Sequence, residues 1–328
     1  MKYKIFGHCL KIETNDDVII NTLRIIAGHF ANSEMESIGT IRFVKVSVTN
    51  LKKDHFFIDE MITTSSYVQP TKEYSTIYRS YRGERAIHFY EQYYLIDYLF
   101  DLNLVEFYYT DRMYSIINLL GEFLKYYIFE KAIIYNKYPL HSSCVAKKGS
   151  NKCVIFVGDS GCGKSSNAIF ATLNSKFEFM NDEITYITYR GNCLEAISTT
   201  DKFKVCEPMF VEMNKHMKFD FEKSQNEYIC DFLHSIDREN KVLDIVCVVA
   251  LVRDDNANFI EKNCLTKLQL YALILRNLHL SVYSTKQNKL AIIECANKIL
   301  KECKIISVRY PTKLIREVTN QILTGGIV

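Results

Sequence analysis

The sequence has no excess of either charge sign, no paired cysteines and no long apolar run. Lys and Arg total 41 against 38 Asp and Glu, which leaves a formal charge of +3. So even a balance gives no electrostatic argument for nucleic acid. The 11 cysteines are scattered and never form C-x-x-C. Neither a disulfide framework nor a zinc site is suggested, and a reducing cytosol fits. Met1-Lys2-Tyr3-Lys4 leads into Ile5-Phe6-Gly7-His8 with no apolar leader, and no stretch of about 18 apolar residues occurs. The expectation is a soluble, cytoplasmic protein with no nucleic-acid and no membrane partner. N-K-x-D is missing as well, because Asn297-Lys298-Ile299-Leu300 lacks the acid, and there is no L-S-G-G-Q-like run. These absences disfavour a regulatory GTPase and a transporter ATPase. No internal repeat or low-complexity tract is visible, and 328 residues at 48% hydrophobic content allow one large or two modest domains.

What is present is Gly158-Asp159-Ser160-Gly161-Cys162-Gly163-Lys164-Ser165, a full G-x-x-x-x-G-K-[ST] run entered from the apolar Cys153-Val154-Ile155-Phe156-Val157. Its glycines let the backbone fold around an anion, so that successive N–H groups and the next helix N-terminus face phosphates. Gly158, Asp159, Ser160, Gly161, Cys162, Gly163, Lys164, Ser165 and Ser166 are therefore the candidate nucleotide-binding residues. Lys164 would reach the β- and γ-phosphates, and the Ser165 hydroxyl would ligate Mg²⁺. Cys162 would have a lowered thiol pKa if it faced the helix N-terminus, and would be inert if buried.

The acid for Mg²⁺ and for chemistry is sought next. Asn181-Asp182-Glu183 follows the strand-like Phe177-Glu178-Phe179-Met180. A carboxylate pair at a strand end beside the loop can do two jobs: one acid holds Mg²⁺, the other accepts a hydroxyl proton. Asp182 and Glu183 could equally be solvated turn residues. Leu251-Val252-Arg253-Asp254-Asp255 is a second candidate, ranked lower because Arg253 intervenes. Arg253, Arg276 and Arg309 are candidates to grip the γ-phosphate or a substrate carboxylate, with Arg253 first because it ends a predicted strand.

The chain changes character near residue 110. Strand-type segments come first: Tyr3–Glu13, Gly39–Val48, and a hairpin-like pair, Thr76–Tyr81 and Arg85–Tyr90, around Arg82-Gly83-Glu84. A helix is expected over Asp17–Phe30 with Asn15 or Asp16 as its cap. The strongly aromatic segment 89–109 reads as core or interface. Asp111–Ile134 suits a long linking helix. After the glycine loop, strands are expected at Phe177–Met180, Ile184–Tyr189, Cys193–Ile197, Leu243–Val252 and Ile305–Val308, and helices near Thr266–Leu280, Lys286–Cys303 and after Pro311. Asp201–Asn240, polar and less regular, reads as a mobile insertion facing substrate.

The run Leu140-His141-Ser142-Ser143-Cys144-Val145-Ala146, the glycine loop, and then Phe179-Met180-Asn181-Asp182-Glu183-Ile184 together resemble the catalytic core of the HPr serine kinase/phosphorylase family. There a strand bearing His leads by a turn into G-D-S-G-x-G-K-S, and a strand ending in Asp-Asp or Asp-Glu follows. The resemblance spans about residues 138 to 190. It implies an α/β fold: a P-loop kinase domain with a mixed sheet over 138–328, a linking helix over 111–137, and a smaller strand-rich α+β domain over 1–110. It also implies ATP and Mg²⁺ as cofactors. By the same resemblance, Asp182 would activate the acceptor hydroxyl, Glu183 would serve Mg²⁺ with Ser165 and Asp182, and His141 would orient or tune Asp182.

No glycine-rich docking signature follows between residues 190 and 250, which speaks against HPr itself as the acceptor. The first domain is more similar to that of stand-alone relatives, some of which phosphorylate a serine of a ribosomally made precursor peptide. An aromatic, strand-rich domain offers a sheet edge to an extended peptide. The resulting expectation is a serine kinase transferring the γ-phosphate of ATP to a Ser or Thr hydroxyl of a peptide or protein, through Asp182, His141, Lys164 and Arg253. A nucleotide-gated peptide-binding protein and a small-molecule (free serine) kinase are the alternatives, and a homo-oligomer is left open.

Overall fold

The computed structural model describes residues 1–5, 8–27, 37–47, 50–51, 62–68, 74–79, 85–90, 93–99, 102–116, 119–173, 176–191, 193–197, 202–206, 210–211, 214, 220–224, 227–231, 241–279 and 284–324. The chain divides into two compact units, Met1–Lys131 with Ser281–Thr285, and Ala132–Leu280 with Lys286–Val328.

In the first unit, strands β1 (Lys2–Ile5) and β2 (His8–Glu13) precede helix α1 (Asp17–Ala27). Then come β3 (Thr40–Lys45), β4 (Ile62–Val68), β5 (Tyr74–Arg79), β6 (Arg85–Tyr90), β7 (Tyr94–Leu99), β8 (Leu104–Tyr109), a 3-10 turn (Asp111–Ile116) and helix α2 (Leu119–Ile134). They build an eight-stranded sheet in the order β1-β2-β3-β8-β7-β6-β5-β4. Pairing is parallel at β2–β3 and β3–β8 and antiparallel elsewhere. Tyr3–Glu13, expected as one strand, is a pair of strands with Ile5 opposite His8. Asp16 caps α1 by accepting from the Val18 and Ile19 amides at 2.9 and 3.3 Å.

The aromatic segment is the core of this unit. Tyr90, Tyr94, Tyr98, Phe107 and Tyr109 are all buried, and Phe107 meets Phe123 of α2 edge to face at 5.1 Å. The helix expected over Asp111–Ile134 is a 3-10 turn followed by α2, and the boundary between the units falls inside α2. The reason is its sequence: Leu120, Phe123, Leu124, Tyr127, Ile128 and Phe129 are all buried. Burial of these side chains packs the helix into a core. The turn Arg82-Gly83-Glu84 lies outside the described residues.

The second unit is a mixed α/β structure. Its elements are β9 (Tyr138–Lys147), β10 (Lys152–Gly158), α3 (Lys164–Leu173), β11 (Phe177–Asn181), β12 (Ile184–Arg190), β13 (Cys193–Ile197), β14 (Lys202–Cys206), β15 (Asp220–Ser224), β16 (Glu227–Asp231), β17 (Val242–Arg253), β18 (Glu261–Lys262), α4 (Lys267–Asn277), α5 (Lys286–Glu302), β19 (Ile305–Tyr310) and α6 (Ile315–Thr324). β10, β17 and β19 are parallel neighbours, while β9 runs antiparallel to β10. β9 also pairs with β12, β12 with β13, and β13 with β17, so the pairings close a circuit back to β10.

The two faces of this sheet follow from strict alternation along β10. Val154 and Phe156 enter a core with Ala168, Ile169 and Ala171 of α3 and with Val318 and Ile322 of α6. Cys153, Ile155 and Val157 enter the opposite core with Leu273 and Ile274 of α4 and Ile292 and Ile299 of α5. A strand buried on both faces reads as an unbroken apolar run, as Cys153–Val157 does. Each such side chain, fully buried, contributes about 1.5–3 kcal/mol. Within Asp201–Asn240, expected to be an irregular insertion, β14, β16 and β15 form a three-stranded antiparallel sheet. Other residues of that segment, 232–240 among them, lie outside the described ones.

Candidate active site

The site gathers at the C-terminal ends of the parallel strands, where open α/β sheets leave a crevice for ligands. Gly158, Leu251 and Val308 are in register across β10, β17 and β19. The glycine loop therefore leaves the sheet level with Arg253 and Tyr310, which pair two positions further on. Gly158 has no room for a side chain: a Cβ there would lie 2.4 Å from Cys162 Sγ and 2.6 Å from the Leu251 carbonyl oxygen. At Gly163, φ is +92° and a Cβ would lie 2.6 Å from the Tyr310 hydroxyl. Lys164, 7% exposed, opens α3 and turns back on the loop. Its ammonium donates to the carbonyls of Gly158 and Asp159 at 2.9 and 3.3 Å.

The acid beside the loop comes from an interrupted strand. β11 and β12 both run antiparallel along β9; the register shifts at a bulge between Phe179 and Asn181, and from Asn181 opposite Cys144 it carries on to Ile184 opposite His141, with Asp182-Glu183 as the break between the strands. Glu183 takes a left-handed φ of +66°, and its carbonyl accepts from the Ser142 amide at 3.1 Å. A buried chain of bonds fixes this corner. Ser142 Oγ donates to Thr185 Oγ1 at 2.7 Å, Thr185 to Asn181 Oδ1 at 3.2 Å, and Asn181 Nδ2 to the Ile184 carbonyl at 3.0 Å.

Asp182 is thereby held 4% exposed. Its Oδ1 accepts the Ser143 hydroxyl at 2.6 Å and the Ser165 hydroxyl at 2.8 Å. Burial pushes its carboxyl pKa above the ordinary value, and the two hydroxyl bonds oppose that rise. A carboxylate and a hydroxyl placed together at the head of the loop are hard oxygen donors of the kind Mg²⁺ prefers. Ser165 and Asp182 therefore fit the metal's chemistry, and Glu183 is exposed at the same corner.

His141 lies on β9 two residues before Ser143, and its ring stacks on His279 with centroids 5.8 Å apart. Ser143 holds no predicted role, yet it bonds the acid. Alternation along the strand, which sets His141 and Ser143 on one face, is the signal that identifies it. Cys162 is buried, and burial raises its thiol pKa against the opposing pull of Lys164. Of the two expectations for this thiol, the buried one is found, because the side chain packs into the core beneath the loop.

Arg253 forks onto Asp255 Oδ2 at 2.9 and 2.7 Å and reaches the Gly161 carbonyl at 3.4 Å. Asp255 also accepts from the Thr312 amide and hydroxyl at 2.8 and 2.7 Å, and the Arg253 fork first, then the Thr312 bonds, hold its carboxyl below the usual range. The competing acid candidate is thus engaged in a surface corner. Arg276 pairs with Asp159 of the loop at 3.2 Å, whereas Arg309 pairs with Glu261 at 2.7 Å. A cavity of about 630 Å³ adjoins the loop tip, lined by Asp159, Ser160, Gly161, Arg253, Gln269 and Arg276 over an aliphatic wall from Leu251, Leu265 and Leu273.

No family model matches the chain. No curated protein matches it. Among solved structures it is similar to the HPr(Ser) kinase/phosphatase from Coxiella burnetii at 10% sequence identity and a TM-score of 0.30, over 57% of this chain and 95% of that one.

Proposed function

We propose that the second unit is a P-loop kinase domain and that the protein transfers the γ-phosphate of ATP to a Ser or Thr hydroxyl of a peptide or protein. The observation that carries this reading is the convergence of Lys164, Ser165 and the buried Asp182 on one glycine loop, with Ser165 and Asp182 in direct hydrogen bond. The loop amides and Lys164 bind the phosphates, and Ser165, Asp182 and Glu183 hold Mg²⁺. The metal supplies neutralisation of phosphate charge. Asp182 accepts the acceptor's proton, a role that burial favours by raising its carboxyl pKa. His141 keeps its proposed role of orienting the acid from the same strand as Ser143.

Arg253 and Arg276 stand on the cavity wall at the loop tip, where guanidinium groups can grip phosphate oxygens or an acceptor carboxylate. A nucleotide-gated binding module also needs a serine and an acid for Mg²⁺, so phosphoryl transfer itself is what separates it from the kinase reading. A small hydroxyl compound such as free serine is the second reading, and the cavity favours it: about 630 Å³ lies within the range of small-ligand sites.

Calorimetric titration with Mg·ATP of the wild type and Lys164→Ala, followed by transfer assays on serine peptides and on free serine, tests the proposal. Binding by the wild type and its loss in the variant are expected, and equal affinities would remove the nucleotide assignment. The acceptor that becomes labelled decides between peptide and small molecule.

A further inference from the structure

A backbone that turns its amides inward around an anion must turn carbonyls outward, and buried carbonyls need donors. Two donors on this loop belong to residues with no assigned role. The Tyr310 hydroxyl donates to the Cys162 carbonyl at 2.7 Å. Asn167 Nδ2 donates to the Gly163 carbonyl at 2.9 Å and to the Tyr310 oxygen at 2.9 Å. Asn167 Oδ1 in turn accepts the Thr319 hydroxyl of α6 at 2.8 Å. All three residues are buried, Tyr310 at 1% and Asn167 and Thr319 at 0% exposure.

Both amide hydrogens of Asn167 are used, which sets its orientation, and its Oδ1 shares the one Thr319 hydroxyl hydrogen with the Ile315 carbonyl at 2.9 Å. The fit is also tight: a Cβ at Gly163 would meet the Tyr310 oxygen at 2.6 Å and Ile315 Cδ1 at 3.0 Å. The Gly161 carbonyl is reached by Arg253 at 3.4 Å, and those of Gly158 and Asp159 are held by the Lys164 ammonium. That ammonium leaves them when it turns to a phosphate. The bonds from Tyr310 and Asn167 have no reason to break at that moment.

We infer that Tyr310, backed by Asn167 and Thr319, is a positioning residue that holds the glycine loop in its anion-binding shape before any ligand arrives. The consequence for nucleotide rests on the kinase reading above, while the consequence for the loop rests on the geometry alone. Removing the hydroxyl leaves the ring to fill the core but frees the Cys162 carbonyl, and the amides of residues 161–164 then sample outward orientations. Loop amides contact phosphates in ground and transition state alike, so their loosening weakens binding with little effect on the chemical step.

The test uses the full chain with Tyr310→Phe and, as a milder cut of the same network, Thr319→Val. Hydrogen exchange at residues 161–164 is measured on the ligand-free protein, and affinity for Mg·ATP by calorimetry. Tyr310→Phe is expected to speed exchange about tenfold or more and to weaken Mg·ATP about tenfold, the effect of losing one buried hydrogen bond. Turnover at saturation should stay within about threefold, and Thr319→Val should move the same quantities less. Wild-type exchange at the loop in both variants would overturn the inference. Should Tyr310→Phe fail to fold, Thr319→Val decides alone. Should the wild type bind no nucleotide, the exchange arm still decides the clamp and the kinase reading fails separately.

Discussion

The Ser165 hydroxyl lies 2.8 Å from Asp182 Oδ1, joining the first turn after the glycine loop to the break between β11 and β12. The Ser143 hydroxyl completes the arrangement from β9 at 2.6 Å. The acid is thus buried, which makes it a better proton acceptor and a costly one for the fold.

That cost has a pH signature. The folded-state pKa of Asp182 is raised, so the folded chain holds this proton more tightly than the unfolded one. The associated stability is complete below the ordinary aspartate value near about 3.9 and is lost as pH rises through the folded value. Asp182→Asn is therefore expected to unfold at higher urea concentration than wild type at pH 7, with the gap narrowing as pH falls toward that ordinary value. Urea melts across the pH range check this, and a variant less stable than wild type at pH 7 would contradict it.

Gly158→Ala should abolish Mg·ATP binding, because its Cβ meets both Cys162 Sγ and the Leu251 carbonyl. Adding Cys162→Ala relieves only the first contact. The double variant is thus expected to remain without measurable binding by calorimetry, and restored affinity would show that the backbone contact does not matter.

Much of the second unit was legible because its signals are local. The apolar run before Gly158, the turn chemistry of the loop and the period-two strands each depend on neighbouring residues, and β9 to β13 form where those patterns lie. Asp182 could be singled out by its place after a strand. Its bonds could not, since Ser143 and Ser165 reach it only once β9 and α3 are packed together, although alternation along β9 already sets Ser143 on the face of His141. Tyr310 is invisible for the same reason, standing 148 residues from the Cys162 carbonyl it holds. α2 was legible as a helix from its composition, whereas the 3-10 turn at Asp111–Ile116 before it was not.

Thiol chemistry gives an independent check on the loop. Cys193 is exposed whereas Cys162 is buried with a raised pKa. Iodoacetamide at pH 7.5 should label Cys193 first and leave Cys162 unreacted until the protein is unfolded, as read by peptide mass spectrometry. Equal labelling rates in the native protein would place the Cys162 side chain at the surface.

Arg253→Lys retains the charge but not the fork that now grips Asp255. With both groups exposed, stability should change little. Phosphoryl transfer should nonetheless fall about 10- to 1000-fold if the guanidinium turns to the γ-phosphate. Thermal melts and single-turnover rates separate the two effects, and an unchanged rate would leave Arg253 a surface residue.

The central claim is that Asp182 takes the proton of the acceptor hydroxyl. Asp182→Asn keeps the shape and can still bond Ser143 and Ser165, but it cannot accept that proton. The direct measurement is single-turnover transfer of labelled γ-phosphate from saturating Mg·ATP to a serine-containing acceptor, wild type against Asp182→Asn. A fall of about 10²–10⁴-fold at saturating Mg·ATP is expected, and equal transfer rates in the two proteins would contradict the base role.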